Sequence, residues 1–213
     1  LAARYYTDPH VFKLETGGLL ARTWQFGCHA SELAQTGDYA TFEIAGESLF
    51  AIRGRDGQIR VFYNVCQHRA HQLLSGKGTT RVVVCPYHAW TYDLEGKLKG
   101  IRGQEAFPDL DLDDNGLVEV SAVEKGGIVY VMQEGEITSG MLENTLDYFA
   151  PEQQMFEQSE LCDQANWKLL TETLLEGYHI KALHKNTFYP YGLDNVNLVE
   201  TFGANSRVIF PFR

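Results

Sequence analysis

Two short groups of potential metal ligands constrain this sequence more than any other feature. The first is Cys66-Gln67-His68, and the second, after sixteen intervening residues, is Cys85-Pro86-Tyr87-His88. Each group directly follows a run of residues that predicts a β-strand, so each is expected on a turn at a strand end. Because turns allow side chains from separate strands to converge, the sequence predicts one metal centre with two thiolate and two imidazole ligands.

Two kinds of metal centre use two cysteines and two histidines. One is a tetrahedral structural zinc ion. The other is a Rieske [2Fe–2S] cluster, in which two cysteines hold one iron and two histidines hold the other. A third interpretation, unrelated buried cysteines and exposed histidines, requires four ligand-type residues to coincide at these spacings. Cys66, His68, Cys85 and His88 suit either centre; the residues that surround them favour the Rieske cluster, with zinc as the alternative.

The residues around these ligands carry a resemblance to a known family. The run from Cys85 to Tyr92, Cys-Pro-Tyr-His-Ala-Trp-Thr-Tyr, strongly resembles the second cluster-binding loop of Rieske non-haem iron oxygenases. Cys66-Gln67-His68-Arg69 looks like the first loop. Rieske proteins of respiratory complexes have two further cysteines that bridge the loops, and His71 and Tyr87 stand at the matching positions here. The resemblance therefore implies the oxygenase or ferredoxin subtype.

A second group of candidate ligands lies towards the C-terminal end. Asn166-Trp167-Lys168 precedes Glu176-Gly177-Tyr178-His179, and His184 follows. Two histidines and a carboxylate form the facial triad of non-haem Fe(II) oxygenases. The run resembles the iron-binding segment of the oxygenase α subunits, which implies that His179 and His184 bind a mononuclear Fe(II).

The resemblance implies a catalytic role for Glu176. In the family, an acid at this position lies between His88 of one subunit and His179 of the next, so its carboxylate is expected to link the two metal centres by hydrogen bonds. The family usually has aspartate here, and its third iron ligand is an aspartate far downstream. Asp194 and Glu200 are too near to replace that ligand, so the sequence is expected to come from a truncated protein.

The spacing of the two histidines predicts an irregular backbone. Apolar side chains fall on one helical face between about residues 166 and 184, which predicts a helix. His179 and His184 are five residues apart, about 140° around a regular helix at ~100° per residue. Both can bind one iron only if the helix ends or widens between them, as in a π-type turn, so an irregularity is predicted within 179–184.

The remaining pattern predicts an α+β fold. Residues 1–35 form an N-terminal helical segment, and short strands over 36–134 form a small antiparallel β domain, which the resemblance makes the Rieske [2Fe–2S] domain. Residues 135–213 correspond to the start of a helix-grip catalytic domain, with a short helix predicted at 139–149. The predicted strands cover 39–44, 49–52, 59–63, 81–84, 89–94, 117–123 and 128–132.

Composition excludes several classes of function. Lys and Arg number 18 against 28 Asp and Glu, a net charge of −10, whereas nucleic-acid binding needs clustered basic residues. No apolar run approaches the ~18 residues of a membrane span, and Leu1-Ala2-Ala3-Arg4 lacks the apolar region of a secretory signal. The four cysteines are too few for a disulfide scaffold. A cytoplasmic location is expected, with Cys28 and Cys162 as buried structural thiols.

The resemblance also implies an enzyme. Rieske oxygenases receive single electrons from a separate reductase or ferredoxin, ultimately from NAD(P)H, and use O2 at the mononuclear iron to hydroxylate or dihydroxylate an organic substrate. An aromatic substrate is expected, and oxidative N-demethylation of a quaternary amine is the alternative. Three α subunits form a ring in the family, so a homotrimer is expected.

Two other classes of protein remain possible from the sequence. A Rieske ferredoxin would only carry electrons, but it should end near residue 135, and His179 and His184 argue against it. A zinc-binding interaction module would be colourless, whereas a Rieske protein is red-brown.

Overall fold

The computed structural model describes residues 1–135, 142–143, 145–150, 152–159, 164–203 and 205–213. Its contacts form two compact units. The larger contains Leu14–Thr138 and Thr145–Gln158, and the smaller contains Leu1–Lys13, Ser139–Asn144 and Ser159–Arg213. Antiparallel sheets and short helices give the α+β class that the sequence predicts. The domain boundaries at 36 and 135 stay predictions.

The helices are short. They are α1 (Arg4–Thr7), α2 (Pro9–Gly18), α3 (Trp167–Leu174) and α4 (Ile180–Leu183), with 3₁₀ turns at Leu20–Arg22, Ala30–Leu33, Gln104–Ala106 and Asp113–Asn115. The strands are β1 (Gln25–His29), β2 (Asp38–Ile44), β3 (Glu47–Arg53), β4 (Ile59–Tyr63), β5 (Lys77–Thr79), β6 (Val83–Val84), β7 (Thr91–Tyr92), β8 (Leu98–Gly100), β9 (Glu119–Lys125), β10 (Ile128–Met132), β11 (Leu198–Phe202) and β12 (Asn205–Ile209). No helix in the described ranges is long and apolar enough to cross a bilayer.

An antiparallel sheet in the order β1-β10-β9-β4-β3-β2-β5 organises the larger unit. A second sheet, β6-β7-β8, belongs to the same unit, and the β11–β12 hairpin belongs to the smaller one. The predicted hairpin between β3 and β4 is confirmed: the Gly54 amide donates to the Gln58 carbonyl at 2.8 Å. Gly57 adopts a φ of +80° in this turn, which glycine tolerates without strain.

Strand β3 is buried on both faces and separates two hydrophobic cores. Phe50 and Ile52 point into one core, and the alternate residues Leu49 and Ala51 point into the other, as the period of two requires. The first core also contains Cys66, Cys85, Trp90 and Tyr92, so the predicted metal ligands are built into it. The metal site of the larger unit therefore depends on the same packing as the fold.

Some elements differ from the sequence-based prediction. Strands β1, β5 and β8 were not predicted, and β1 pairs with β10 across a bulge between Phe26 and Cys28. Gln25–His29 lacks regular apolar alternation, so only its pairing partner makes it a strand. In the range predicted as a helix at 139–149, residues 142–143 and 145–149 are not helical, and the others lie outside the described residues.

The two cysteines outside the ligand loops, Cys28 and Cys162, were both predicted to be buried structural thiols. Cys28 is buried in the second core, and burial raises the pKa of its thiol to about 12. This suppresses the reactive thiolate, in keeping with the expected structural role. Cys162 lies outside the described residues.

The smaller unit buries little apolar surface. Among its described residues, Ile180 is the one buried hydrophobic side chain. The leucines of α3 are exposed, Leu174 to 75%, and so are Leu198 and Val199 in β11. Since buried apolar area is the main source of stability, this unit has little of its own.

We therefore expect unequal amide hydrogen exchange. Amides of β3 and β4 should exchange more than about 100-fold more slowly than those of α3 and the β11–β12 hairpin, because local opening costs little where few apolar contacts are lost. Exchange measured by mass spectrometry on the folded chain tests this. Equal protection in α3 and β3 would contradict it.

Candidate metal centres

The two predicted ligand loops have the same backbone geometry. In the first, the Cys66 carbonyl accepts from the Ala70 amide at 2.9 Å, and the Cys66 amide donates to the His71 carbonyl at 2.9 Å. In the second loop, the corresponding bonds join Cys85 to Ala89 at 3.0 Å and Cys85 to Trp90 at 2.8 Å. Each cysteine is therefore held at the start of a closed turn by both of its backbone polar groups.

An alanine in the left-handed region completes each turn. Ala70 has a φ of +52° and Ala89 a φ of +59°. A non-glycine residue in this region costs on the order of 1 kcal/mol, so its occurrence at equivalent positions of both loops marks a constrained site. The first loop follows β4, and the second lies between β6 and β7, as the predicted strand ends required.

The turns bring like ligands together. Cys66 and Cys85 are both buried in the same hydrophobic core, and Cys85 is one of the neighbouring groups that raise the pKa of the Cys66 thiol. The rings of His68 and His88 have centroids 4.6 Å apart. A cysteine pair beside a histidine pair is the donor set of a Rieske cluster, with two ligands for each iron. The four predicted ligands thus converge.

The surroundings of His68 fit a bound metal. Its Nδ1 atom is buried and has no hydrogen-bond partner, although buried ring nitrogens are normally paired. A metal ligand bond would satisfy that atom. Across the described residues, no three Cys, His, Asp or Glu side chains are close enough to hold a single ion.

The protonation of the candidate ligands also bears on metal binding. Loss of solvent contact, and then the charges of His68, Arg69 and His71, lower the pKa of His88. A neutral imidazole is the form that binds metal. Burial raises the pKa of the Cys66 thiol, so metal binding must release its proton.

His71 and Tyr87 meet where the respiratory proteins have a disulfide bridge. Their ring centroids are 5.6 Å apart, with the rings tilted by 46°. The sequence-based expectation that no disulfide joins the loops is in accord with this aromatic contact between them.

Sequence reasoning did not identify Asn64, which fixes the first loop. Its side chain is buried and accepts from the amides of Leu73 and Leu74 at 3.1 and 2.9 Å. Its Nδ2 group donates to the Leu74 carbonyl at 2.9 Å. Asn64 thereby joins the beginning and end of the loop. A polar residue directly after the apolar strand β4 was the available signal.

The second predicted site, in the smaller unit, begins with a capped helix. The Asn166 side chain accepts from the Lys168 amide at 3.0 Å and caps α3, which explains part of the Asn-Trp-Lys motif. The helix then ends at Leu174, so the prediction of one helix over 166–184 is wrong. A Cβ atom on Gly177 would lie 2.9 Å from Asn197 Oδ1, so a larger residue there would require the Asn197 side chain to move.

His179 and His184 flank a single regular turn of helix, α4. His179 is its N-cap and His184 its C-cap. The helix ends within 179–184, which is one of the two irregularities predicted from the sequence. The other, a π-type widening, is absent from this turn, and a bond of π-helical spacing, from the Tyr189 amide to the His184 carbonyl at 3.0 Å, follows the turn. Because the helix ends at both histidines, their rings can face each other, with centroids 5.3 Å apart.

Glu176 lies in the irregular segment between α3 and α4. Its Oε1 atom contacts Nδ1 of His179, and its Oε2 atom accepts from the Tyr178 amide at 2.6 Å. The hydrogen bond from His179 is the main cause that lowers the pKa of Glu176, which keeps the carboxylate ionised. With Nδ1 of His179 occupied, the opposite nitrogen, Nε2, is left for a metal.

A cavity of about 630 Å³ adjoins these residues. Apolar atoms make up most of its lining surface. The lining residues are Leu174, Ile180, Leu183, Phe188 and Phe210 together with Thr173, Glu176, His179, His184 and Thr187. Neither Asp194 nor Glu200 joins the two histidines in a three-ligand group within the described residues. The described site therefore offers two imidazoles.

Comparison with known families finds two matches, one in each half of the chain. The Rieske [2Fe–2S] domain family matches residues 23–113, and the family of the ring-hydroxylating alpha subunit catalytic domain matches residues 152–210. The chain belongs to the α subunits of the Rieske non-haem iron oxygenases. The two family matches, in this order, cover both loops of the cluster site and both histidines of the second site.

Individual relatives extend this result. The carnitine monooxygenase oxygenase subunit of Escherichia coli (strain K12) is 38% identical over 193 residues, 86% of this chain and 52% of that protein. The 2-aminobenzenesulfonate 2,3-dioxygenase subunit alpha of an Alcaligenes species is 34% identical, over 83% of this chain and 48% of that one. The chain thus spans about half the length of the curated relatives it matches.

A solved structure shows the same Rieske oxygenase fold. The quaternary ammonium Rieske monooxygenase CntA, crystallised with an inhibitor, superposes with a TM-score of 0.87 at 29% identity. The match covers 99% of this chain and 61% of that one.

Tyr92 is positioned to adjust the potential of the Rieske cluster. Its hydroxyl is fully buried, 3.3 Å from Cys66 Sγ, and accepts from the Gln67 amide at 3.2 Å. Burial raises the pKa of Tyr92, so the hydroxyl stays protonated and can donate to the sulfur. Hydrogen bonds to cluster sulfurs stabilise the reduced form.

We expect Tyr92→Phe to lower the reduction potential of the cluster by roughly 40 mV, the equivalent of about 1 kcal/mol for a one-electron couple. Protein-film voltammetry measures the potential. Tyr130→Phe, which removes a hydroxyl from β10 outside the cluster loops, is the control and should leave the potential unchanged. A parental potential in Tyr92→Phe would show that the hydroxyl does not donate to Cys66.

Proposed function

We propose that this chain forms part of the terminal oxygenase of a Rieske monooxygenase system. Cys66, His68, Cys85 and His88 would hold the [2Fe–2S] cluster, and His179 and His184 would contribute to a mononuclear Fe(II) site. The observation that carries the proposal is the presence of both donor sets, with the orphaned Nδ1 of His68 in the first and the facing rings of His179 and His184 in the second.

When bound, the two metal groups would supply single-electron transfer and the activation of O2. The chain's own residues hold and orient the ligands. Glu176 holds the His179 ring by accepting a hydrogen bond from its Nδ1–H group, and Leu183, Phe188 and Phe210 keep the neighbouring cavity apolar. Electrons would come from a reductase or ferredoxin partner and ultimately from NAD(P)H.

The substrate that we propose is a small quaternary ammonium compound. This choice takes the N-demethylation alternative of the sequence prediction, and the relatives that act on such compounds support it. The cavity also supports it, because its lining contains two aromatic rings, of Phe188 and Phe210, which can attract a cation, and the ionised Glu176.

An aromatic substrate is the second candidate. The similarity to the aminobenzenesulfonate dioxygenase subunit favours it, and so does the mostly apolar cavity lining. The aromatic substrate first expected from the sequence remains a prediction. A homotrimer also remains a proposal.

Metal loading tests the two sites separately. After anaerobic reconstitution with Fe(II) and sulfide, the chain should show the red-brown spectrum of a Rieske cluster and bind about three irons, two of them in the cluster. His179→Ala should lose about one iron and keep the spectrum, whereas His68→Ala should lose the spectrum. His10→Ala, at an exposed histidine of α2, is the control. Equal iron content in His179→Ala and the parent would refute the mononuclear site.

Substrate class is tested by consumption of NADH and O2. With a reductase present, consumption above background should increase on addition of carnitine or glycine betaine and not with 2-aminobenzenesulfonate. The reverse preference would favour the aromatic candidate.

Glu176→Gln tests the role of the carboxylate. Both carboxylate oxygens accept N–H groups, from His179 and Tyr178, and glutamine must turn its NH2 group towards one of them. We expect both metal sites to stay filled and the cluster to remain reducible, while turnover falls by at least about 100-fold.

Glu172→Gln is the matched control for this experiment. Glu172 lies one turn earlier on α3, and its Oε1 atom accepts from the Tyr6 hydroxyl at 2.8 Å, a bond that the glutamine carbonyl can keep. It should retain parental turnover. Near-normal turnover in Glu176→Gln would remove the proposed linking role between His88 of one subunit and His179 of the next.

A further inference from the structure

A separate segment of the larger unit covers one side of the cluster site. We name residues 103–116 the cap segment. It begins at Gly103, whose φ of +70° opens a 3₁₀ turn, and it ends where Gly116 approaches the Gly96 carbonyl. The Leu117 amide then donates to that carbonyl at 2.7 Å. The cap segment is therefore anchored at its C-terminal end.

The cap segment has an apolar inner side and an acidic outer side. Phe107, Leu110 and Leu112 are partly buried and pack on the core that contains Cys66 and Cys85. The exposed residues include five carboxylates, at Glu105, Asp109, Asp111, Asp113 and Asp114. This division orients the segment with its apolar side towards the cluster loops.

Phe107 forms a cluster of three rings with His68 and Trp90. Trp90 stacks on the His68 ring, with centroids 4.9 Å apart and an interplanar angle of 3°. Phe107 meets both rings edge-on, at 6.1 Å from His68 and 6.2 Å from Trp90. The ring of His68 thus has aromatic neighbours from two different parts of the sequence.

The second imidazole ligand has no such cover from the cap segment. His88 contacts Tyr87, which is 55% exposed, and no ring contact joins it to Phe107 among the described residues. Both His68 and His88 are half-buried. Of the two rings, Phe107 contacts that of His68, so the cap segment can shield the cluster from water on the His68 side.

Exclusion of water affects the reduction potential of the cluster. Reduction adds one negative charge to the cluster, and a charge is less stable in an apolar environment than beside water. Solvent exposure is accordingly one of the factors that set the potential of an iron–sulfur cluster. Shielding by Phe107 should favour the oxidised state.

We propose that Phe107 is a positioning residue for the cluster. Phe107 seats the cap segment over His68, excludes water from that side of the cluster and thereby lowers the reduction potential of the cluster. The inference rests on the cluster of the proposed function and not on the mononuclear site or the substrate.

The test is a measurement of the potential of the reconstituted chain. In Phe107→Ala, the ratio of reduced to oxidised cluster at a fixed applied potential should rise about tenfold, which is 59 mV for a one-electron couple. Phe107→Leu should give a smaller rise, and Phe107→Tyr, which keeps the ring, should restore the parental value. Phe42→Leu, on the opposite core of the sheet, is the control and should not change the ratio.

Measurement at high salt distinguishes an effect of solvation on the reduction potential from an effect of surface charge. The exposed carboxylates of the cap segment are screened at high ionic strength, with a Debye length of about 3 Å at 1 M. The rise in Phe107→Ala should therefore persist at 1 M NaCl. In addition, the cluster should bleach faster with an iron chelator in Phe107→Ala than in Phe107→Tyr.

Each other outcome overturns the proposal. A parental ratio in Phe107→Leu decides against it even if the alanine variant loses its cluster. A fall in the ratio, an equal rise in Phe42→Leu, or a rise that disappears at high salt also decides against it. If the parent forms no Rieske spectrum at all, the proposed function itself fails.

Discussion

The paired backbone hydrogen bonds of Cys66 and Cys85 are the constraint on which the cluster site depends. Each cysteine binds the fourth and fifth residues after it, which forces Ala70 and Ala89 into the left-handed region. Both cysteines also belong to the core beneath β3. The site is thus assembled when the core packs, and the strain of the two turns is balanced by that packing.

The second site obeys a different constraint. In place of paired turns, it has a break between α3 and α4, and Gly177 allows the chain to pack against Asn197 at this break. The break releases Glu176 from the helix, so that it can fold back onto His179. A continuous helix would have separated the rings of His179 and His184, whereas a single turn that ends at both residues leaves them facing.

Many features of the fold and of the two sites could be predicted because they depend on local sequence. The ligand loops follow strands, the hairpin at Gly57 has a typical turn sequence, and Asn166 precedes its helix as a cap should. The errors concern residues whose structure depends on distant partners. Gln25–His29 becomes a strand only by pairing with β10, and the apolar residues beyond Leu174 continue the helical pattern while the backbone does not. Propensity is a weak prior, and tertiary contacts override it.

The sequence by itself determined the metal-binding chemistry of this protein. The types and spacings of Cys66, His68, Cys85 and His88 restrict the metal centre that they can hold, and His179 and His184 do the same for the second site. Only the tertiary structure decided their environment. It left Nδ1 of His68 buried without a partner, placed Tyr92 against Cys66 and brought Phe107 over Trp90. These contacts join residues far apart in sequence, so no local pattern specifies them; they arise when the sheet and its two cores pack together.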